Sequence, residues 1–385
     1  MSGSVVVTDA EERAALGACR GLTRAGYRVC AVARLRPAAT HWSRACAERV
    51  TLPDPRADVA GFAEQLGELL RLGRYEALIP GSDASLMAIS EHRERLEPWT
   101  RLGLPSREAV RRSVDKVALL RAAADAGLAG PASHCCASLE EAHEAAVELG
   151  FPVVVKPGQS FTALNGGLRQ QSVVVVADAA ALAVAVPVFA APFVVQHFER
   201  AQFLSCTGVV ADERLLALTT SRVARLWPPG AGMHSFAETV AAPRGLAERL
   251  RTLLGTLGWQ GIFQLQMLEL ADGRLAVIDL NPRVFASIAL DTDAGANPAA
   301  VWCDWLLGRD PAPVTARLAR RYRWEEGDLC NFAWQVRHRR LRAAASVLLP
   351  HRRVTHAWFR ATDPGPLLAR GFNLAFGSAP SRRAA

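Results

Sequence analysis

Two polar side chains stand two positions apart at the end of a predicted β-strand. The run 275–283 reads LAVIDLNPR, and an Asp-Gly turn separates it from the apolar run 261–269, which predicts a β-hairpin. Alternate residues of a strand share one face, so Asp279 and Asn281 project to the same side. A carboxylate and an amide buried there need partners. Because Mg²⁺ prefers such hard oxygen ligands, the hairpin predicts a magnesium site.

Two further positions extend this predicted site. Gln266 on the opposite strand would supply a third oxygen, and Glu269 is the alternative. Arg283 follows Asn281 by two residues and lies on the same side if the strand continues, where a guanidinium would neutralise a transferring phosphoryl group. The competing interpretation is a polar strand end whose side chains bond to loop backbone.

Two lysines are candidates for binding phosphate. A β-rich strand ends in Lys156, and a Pro-Gly pair ending at Gly158 then turns the chain. The segment 158–167 is rich in glycine and small polar residues, whose backbone N–H groups can approach phosphate oxygens closely. Lys116 stands in the first turn of a helix that is predicted to start within 113–115. A glycine-rich turn alone is more often structural than functional.

The strand 193–199 reads FVVQHFE and ends in polar residues. Its backbone N–H and C=O groups would face an adenine edge, which makes Gln196, His197, Phe198 and Glu199 candidate nucleotide contacts. A carboxylate or amide just beyond the strand would hold ribose hydroxyls. A core strand with a polar exit explains the pattern equally well.

The elements that would position these residues begin with alternating strand and helix signals. Short β-rich runs at 4–8, 28–33 and 77–80 alternate with helical periodicity at 12–24 and 58–72. This order predicts a parallel sheet with helices on its faces. The turn after the first strand lacks the G-x-G-x-x-G of a dinucleotide site.

The chain from about residue 132 to 310 reads as α+β. A helix at 139–149, strands at 152–156 and 171–176, and a strand at 193–198 lead into a meander. The predicted fold class is therefore α/β followed by α+β.

Composition bounds the class of protein. Of the 385 residues, 50% are hydrophobic and 21% charged, which is typical of a globular chain too long for one compact core. The longest apolar run, 179–195, contains two prolines and is too short to span a membrane. Eight cysteines without a C-x-x-C pair argue against a zinc site and favour a reducing cytoplasm. The net charge of +8 is concentrated late in the chain without aromatic stacking motifs, so nucleic acid is not an expected partner.

Taken together, these segments resemble the ATP-grasp superfamily. The run from Asp279 to Arg283 is similar to that family's magnesium signature, a glutamate, any residue and Asn-Pro-Arg. The resemblance covers roughly 100–310, with local similarity to carbamoyl phosphate synthetase large subunits and carboxylate–amine ligases. The units it implies are a parallel-sheet pre-ATP-grasp domain at 1–105, a two-lobed ATP-grasp domain at 106–310 with lobes at about 130–198 and 199–310, and a basic C-terminal extension at 311–385.

The resemblance also implies a role for each matching position. Lys116 and Lys156 are similar to the family's two phosphate-binding lysines, and 196–199 is similar to its adenine-binding strand. Glu199 or Gln202 stands near the place of its ribose-binding acid. The positions that match its metal ligands are Gln266, Asp279 and Asn281. The family usually has glutamate at the first two, and the shorter aspartate would weaken one metal site.

A segment rich in glycine and proline carries two arginines. Residues 221–235 read SRVARLWPPGAGMHS and are predicted to form a loop between strands. Arginine recognises planar carboxylate or phosphate groups through paired hydrogen bonds. Arg222 or Arg225 is therefore expected to bind the substrate carboxylate or its acyl phosphate, with the loop as a lid.

The function that the resemblance implies is ATP-dependent joining of a carboxylate to an amine through an acyl phosphate. Its cofactors would be ATP and Mg²⁺, with Mn²⁺ as a substitute, and its partners a small-molecule carboxylate and amine, with a homodimer expected from base rates. The alternatives are phosphoryl transfer alone, a carbamoyl-phosphate-like reaction, or an ATP-binding regulatory protein. The acceptor is expected near Ser82, Asp83 or 283–294.

Overall fold

The computed structural model describes residues 3–159, 161–164, 167–230 and 232–376. The N-terminal elements are β1 (Ser4–Val7), α1 (Arg13–Arg24), β2 (Arg28–Ala33), β3 (Glu48–Thr51), α2 (Val59–Gly73), β4 (Ala77–Ile79), α3 (Asp83–Glu91), α4 (Arg93–Leu96) and β5 (Arg101–Leu102). The five strands are all parallel and lie in the order β3-β2-β1-β4-β5. The predicted parallel sheet is confirmed.

The central strands β1, β2 and β4 are buried on both faces, which explains their short and largely apolar sequences. Val6 and Leu78 pack into one hydrophobic core, whereas Val5 and Ile79 pack into another on the opposite face. The first core is continuous with residues of the later domain, among them Leu265, so the sheet and that domain are joined by a shared interior.

Two helices lead from the parallel sheet into a smaller lobe. They are α5 (Arg107–Val114) and α6 (Lys116–Asp125), and the elements of the lobe are β6 (Ser133–Cys136), α7 (Leu139–Leu149), β7 (Val153–Pro157), β8 (Phe161–Leu164), β9 (Gly167–Gln170), β10 (Val174–Val176), α8 (Ala179–Ala185) and β11 (Phe193–His197). Four of the strands form an antiparallel sheet in the order β10-β7-β11-β6. The segment 158–167, predicted as a loop, instead contains part of the β8–β9 hairpin; Ser160, Asn165 and Gly166 lie outside the described residues.

The larger lobe is built on an eight-stranded sheet. Its elements are β12 (Gln202–Ala211), β13 (Arg214–Trp227), β14 (Met233–Val240), α9 (Leu246–Leu257), β15 (Gly261–Glu269), β16 (Leu275–Asn281), α10 (Ile288–Ala294) and α11 (Pro298–Leu306). The predicted hairpin is confirmed as the antiparallel pair β15–β16. The predicted lid loop is wrong for most of its length, because β13 continues to Trp227 and β14 begins at Met233.

The C-terminal segment completes the same sheet. Its elements are β17 (Val314–Thr315), β18 (Arg321–Arg323), α12 (Glu325–Arg337), α13 (Leu341–Leu348), β19 (Val354–His356) and α14 (Gly365–Phe376). β17 pairs with β13, β18 with β14, and β19 with β18. The segment after residue 310 is thus integrated into the larger lobe, while the proposed boundaries at residues 105 and 310 remain predictions.

The cysteines and the lengths of the helices bear on the class of protein that was predicted from the composition. All eight cysteines are free thiols, six of them buried, as small core residues would be. Within the described part of the chain, no helix is both long and apolar enough to cross a membrane.

Candidate nucleotide and metal site

The sheet of the smaller lobe turns one face towards the larger lobe. Its other face is covered by α7 and α8, which pack on Val153, Val155 and Val195. Because side chains alternate, the intervening residues of β7 and β11 point the opposite way. These four residues are Val154, Lys156, Val194 and Gln196. All four are buried, so the face is enclosed.

A β-bulge sets the direction of the predicted metal carboxylate. Gln266 pairs with Asp279, but the next residue, Met267, pairs with Val277, so Ile278 is an extra residue in β16. Val277 and Met267 lie in the core, and the bulge turns Asp279 to the opposite face. Bulges often redirect a side chain at functional sites, and here the bulge brings the carboxylate to the lysines.

Lys156 reaches this bulge from the other lobe. Its Nζ donates to the backbone carbonyl of Ile278 at 3.1 Å and to Gln196 Oε1 at 2.5 Å. Burial lowers the pKa of Lys156 to about 8; the nearby Asp279 carboxylate raises it and Lys116 lowers it further. Both direct acceptors are neutral oxygens, so the buried ammonium has no carboxylate bonded to it.

Lys116 meets the same strand end from the start of α6. The helix is capped by Asp115, which accepts hydrogen bonds from the N–H groups of Val117 and Ala118. Lys116 Nζ forms an ion pair with Asp279 Oδ1, and its backbone N–H donates to the carbonyl of Gly158 at 2.9 Å. The structure therefore brings together both lysines and the carboxylate predicted from the sequence.

Asn281 is tied to two further side chains. Its Oδ1 accepts from Arg283 Nη2 at 2.9 Å, and its Nδ2 donates to Gln264 Oε1 at 3.3 Å. Gln264 is 5% exposed and also donates to Ser205 Oγ at 3.2 Å. The sequence analysis missed Gln264, although its spacing of two from Gln266 placed it on the same face.

Arg283 reaches the start of α3, beside the N-terminal sheet. Its guanidinium forms two hydrogen bonds of 2.9 Å with the Asp83 carboxylate, one from Nε and one from Nη2. Asp83 begins α3, directly after β4. Through Asn281, this arginine connects the predicted metal site with the carboxyl ends of the parallel strands.

The alternative metal ligand lies on the wrong face. Glu269 pairs with Gln202, and both share the face of Leu204 and Met267, opposite to that of Gln266. Its carboxylate forms an ion pair with Arg222 at 3.1 Å. Gln266, directly across from Asp279, is therefore the better placed of the two candidates.

The two arginines of β13 that were predicted to bind substrate are engaged elsewhere. Arg222 is opposite Leu204 and so lies on the core face of the sheet rather than the face of Asp279. Arg225 forms two hydrogen bonds with the buried Asp328 carboxylate of α12, at 3.0 and 2.7 Å, and packs over the ring of Phe236. Neither is brought to the lysines, because a long strand replaces the predicted loop.

Most polar groups of the predicted adenine strand have partners inside the smaller lobe. The backbone N–H groups of His197 and Phe198 donate to carbonyls of that lobe, and the His197 ring bonds to the Leu149 carbonyl at 2.9 Å. Gln202 Nε2 donates to the Val223 carbonyl at 2.7 Å. Among the described residues, the Glu199 carboxylate has no hydrogen-bond or ion-pair partner, which favours Glu199 over Gln202 as the ribose contact.

The donor set fits Mg²⁺ that is bound together with phosphate. Within the described ranges, no group of three or more His, Cys, Asp or Glu residues is arranged to hold a metal. Asp279 would contribute one carboxylate, and Gln266 and Asn281 would contribute amide oxygens. Mg²⁺ usually keeps several waters and takes one or two carboxylates besides substrate phosphates, rather than an all-protein cage. The residues therefore fit a shared metal–phosphate site.

Comparisons with known proteins identify the fold. No family model and no curated protein matches the sequence. Among solved structures, N5-carboxyaminoimidazole synthetase from Staphylococcus aureus matches with a TM-score of 0.62 at 12% identity over 83% of this chain and 81% of that one. The L-amino acid ligase from Bacillus licheniformis matches with a TM-score of 0.61 at 14% identity, over 83% and 78%.

A third match supports the same conclusion. A biotin carboxylase from Campylobacter jejuni, solved as a complex with an ATP analogue, has a TM-score of 0.63 at 14% identity over 83% of this chain and 74% of that one. All three are ATP-grasp ligases. The chain has the ATP-grasp fold, as the sequence resemblance predicted; at these identities the match establishes the fold alone.

Proposed function

We propose that the protein is an ATP-dependent ligase that activates a carboxylate as an acyl phosphate and joins it to an amine. The observation that carries the proposal is the convergence of Lys156, Lys116 and Asp279 at the bulged end of β16. Two cations and a metal-type carboxylate between two lobes suit a triphosphate. The buried Lys156, which lacks a bonded carboxylate, would gain most from such an anion.

The distribution of apolar and polar residue pairs on the large sheet supports one orientation of the bound nucleotide. On the face of Asp279, the first cross-strand pair after the connection between lobes is Phe203 with Leu268, and the next is Ser205 with Gln266. An apolar pair suits a purine ring, and the polar pairs beyond it suit phosphates. We therefore infer that adenine lies near Phe203 and Glu199 and that the phosphates lie near Asp279.

The proposed chemistry has two steps. An oxygen of the substrate carboxylate attacks the γ-phosphorus of ATP, and the bond to ADP breaks as the new O–P bond forms. The amine nitrogen then attacks the acyl carbon, the C–N bond forms, phosphate leaves with the electron pair, and the amine proton passes to solvent. Mg²⁺ held by Asp279, Gln266 and Asn281 would withdraw charge from the phosphates. Lys156 and Lys116 would hold the transferring group in line.

A second candidate is an ATP-binding protein without ligase activity. The specific observation in its favour is that the metal site offers a single carboxylate, which already forms an ion pair with Lys116. Binding of Mg²⁺ would have to compete with that ammonium. Magnesium-dependent release of ADP separates the two candidates.

The test is an ADP-release screen of the purified protein with ATP and Mg²⁺, or Mn²⁺. Amino acids and related carboxylates and amines are supplied singly and in pairs, and the products are analysed by mass spectrometry. We expect one pair to give ADP, phosphate and an amide in equal amounts. Release of ADP with no amide from any pair would instead indicate phosphoryl transfer alone, and absence of ADP would favour the non-catalytic candidate.

A further inference from the structure

A second cavity lies at the carboxyl ends of β1 and β4. These strands are neighbours in the parallel sheet, and the strand order runs away from them in both directions. In open parallel sheets, this is the place where ligands bind. The cavity is lined by the starts of α1 and α3 and, from the larger lobe, by Arg283 and Met233. It therefore adjoins the metal site through the Arg283–Asn281 hydrogen bond.

One side chain of this cavity is a buried cation without an acid. Arg13, in the first turn of α1, is 8% exposed, and its Nε has no hydrogen-bond partner. Its guanidinium packs over the Trp324 ring at 3.9 Å, and Nη2 is 3.4 Å from Met233 Sδ. Among the described residues no carboxylate forms an ion pair with it. A buried guanidinium is costly unless an anion approaches it.

The side chains that contact Arg13 directly are uncharged. Burial lowers the pKa of His234 to about 4, and the Arg13 guanidinium lowers it further, so this histidine is neutral at physiological pH. Trp324 and Met233 offer an aromatic face and a thioether, and the neutral Tyr322 hydroxyl also lies beside the Arg13 guanidinium. Arg13 is therefore held in position by uncharged groups, with its charge available to a ligand.

The same cavity contains a buried acid without a cation. Asp9 is 8% exposed and accepts hydrogen bonds from the hydroxyls of Thr8, at 2.5 Å, and Ser82, at 2.7 Å. No ion pair to its carboxylate occurs in the described residues. Its backbone has a φ of 62°, a conformation that is rare outside glycine and is concentrated at functional sites.

The other charged groups of the lining are paired or solvated. Arg283 is bonded to Asp83, and Arg56 forms an ion pair with Asp54 at 3.0 Å. Glu12 is exposed at the rim. Two buried charges of opposite sign that form no ion pair among the described residues therefore remain in one cavity, a cation on α1 and an anion at the end of β1.

We propose that this cavity binds the amine substrate as a zwitterionic amino acid, with its carboxylate on Arg13 and its ammonium on Asp9. The proposal rests on the proposed function. Arginine and aspartate suit these two groups through charge-assisted hydrogen bonds. A phosphate is disfavoured because the buried Asp9 carboxylate, which forms no ion pair in the described residues, would repel a dianion. The link through Arg283 to Asn281 puts the amine beside the phosphate end of the nucleotide site.

The test measures binding to the full chain by isothermal titration calorimetry, independently of turnover. The standard amino acids are titrated first; for each one that binds, its methyl ester, its N-acetyl derivative and inorganic phosphate follow. We expect at least one free amino acid to bind and both derivatives to bind about 10-fold weaker or less, because each removes one charged contact. No binding by any free amino acid, or equal binding of the ester or of phosphate, would overturn the proposal.

Variants then assign the two contacts. Arg13→Gln and Asp9→Asn are each expected to weaken amino-acid binding about 10- to 100-fold. Asparagine tolerates the backbone conformation of Asp9, so this variant should fold even if Arg13→Gln does not. Arg71→Gln, on the exposed side of α2, is the matched control and should bind normally. Unchanged binding in Asp9→Asn, or in folded Arg13→Gln, would refute the assignment.

The result is separable from the fate of the ligase proposal. An amino acid that binds with this dependence but never supports ADP release leaves the cavity assignment intact and counts against the ligase. If the Asp9→Asn variant forms the amide with an unchanged KM for the amine, the ligase proposal stands and the cavity assignment fails.

Discussion

The two lysines at the bulged strand end have different partners. Lys116 forms an ion pair with the Asp279 carboxylate, whereas Lys156 donates to two neutral oxygens, the Ile278 carbonyl and the Gln196 amide. The charge of Lys116 is balanced by a bonded carboxylate, whereas among the described residues no carboxylate bonds to Lys156, whose pKa burial lowers to about 8. A buried cation bonded to an acid has its charge matched, whereas one bonded only to neutral oxygens stays costly until an anion approaches it.

The largest expected effect comes from removing the unbalanced charge. Lys156→Met should lower the rate of ADP formation by about 10²- to 10³-fold, because it removes a preorganised donor to the transferring phosphate. Lys116→Met should cost less, since that lysine must first exchange Asp279 for a phosphate. Steady-state rates at saturating Mg²⁺ measure both, and circular dichroism verifies folding. Equal losses in the two variants would contradict the distinction drawn between the lysines.

Arg225 tests the case of a cation that is bonded to a carboxylate. It is a partly buried cation that has an acid partner, with exposures of 14% for its side chain and 6% for that of Asp328. Arg225→Met should lower the free energy of unfolding by about 3 kcal/mol, because Asp328 keeps only Arg323. Arg222→Met, which breaks an exposed pair with Glu269, should cost below about 1 kcal/mol. Urea unfolding measures both values.

Turnover distinguishes this structural role from the substrate role first expected of these arginines. Where the Arg225→Met protein remains folded, its kcat and its KM for ATP should be close to those of the parent. A raised KM for the carboxylate with unchanged stability would restore the role predicted from the sequence.

Removal of the single metal-type carboxylate should have a smaller effect. Asp279→Asn is expected to raise the Mg²⁺ concentration needed for half-maximal ADP formation by about 10-fold, since amide oxygens remain but the formal charge is lost. Asp279→Glu is the matched variant, because it keeps the charge and restores the residue usual in the resembled family. If Asp279→Asn shows the parent's Mg²⁺ dependence, the metal lies elsewhere.

The sequence was sufficient for the hairpin because its signals are local. An Asp-Gly turn and two apolar runs fix the pairing of β15 with β16. The polar pair Asp279 and Asn281 stands out against an apolar strand. Asp115 predicts the start of α6, which places Lys116.

The bulge at Ile278 could not be predicted in the same way. Val277 and Asp279 are two apart and would share a face in a regular strand, yet Val277 is in the core and Asp279 is not. No turn residue marks the irregularity, and an isoleucine fits any strand position. That its carbonyl accepts a hydrogen bond from Lys156 follows from three-dimensional pairing alone.

For Arg222 and Arg225, a turn signal was present in the sequence but was assigned to too long a segment. The glycine and proline residues at 228–232 are real turn signals, but they mark only a short connection between two long strands. The partner of Arg225 lies 103 residues further along the chain, on α12. Likewise, Asp9 and Arg13 look ordinary in the sequence, since burial and the lack of partners are tertiary properties.

The smallest expected effect is a pH dependence that comes from Lys156. Its pKa is lowered from 10.5 to about 8, so the unfolded chain binds more protons than the folded protein between these values. The stability contribution of this group therefore rises as the pH increases through that window. ATP affinity should change in the opposite direction. Below pH 8 the ammonium is charged and the dissociation constant is flat, whereas above pH 8 binding requires proton uptake and weakens by up to about 10-fold per pH unit.

Lys156→Arg isolates this effect, because arginine stays charged throughout the range. Calorimetric titration with ATP in buffers of different ionisation enthalpy gives the dissociation constant and the proton uptake together. The parent should take up protons above pH 8 and the variant should not. If the parent takes up no protons, Lys156 is already protonated before ATP binds. Its pKa would then not be lowered, and the difference between Lys156 and Lys116 would disappear.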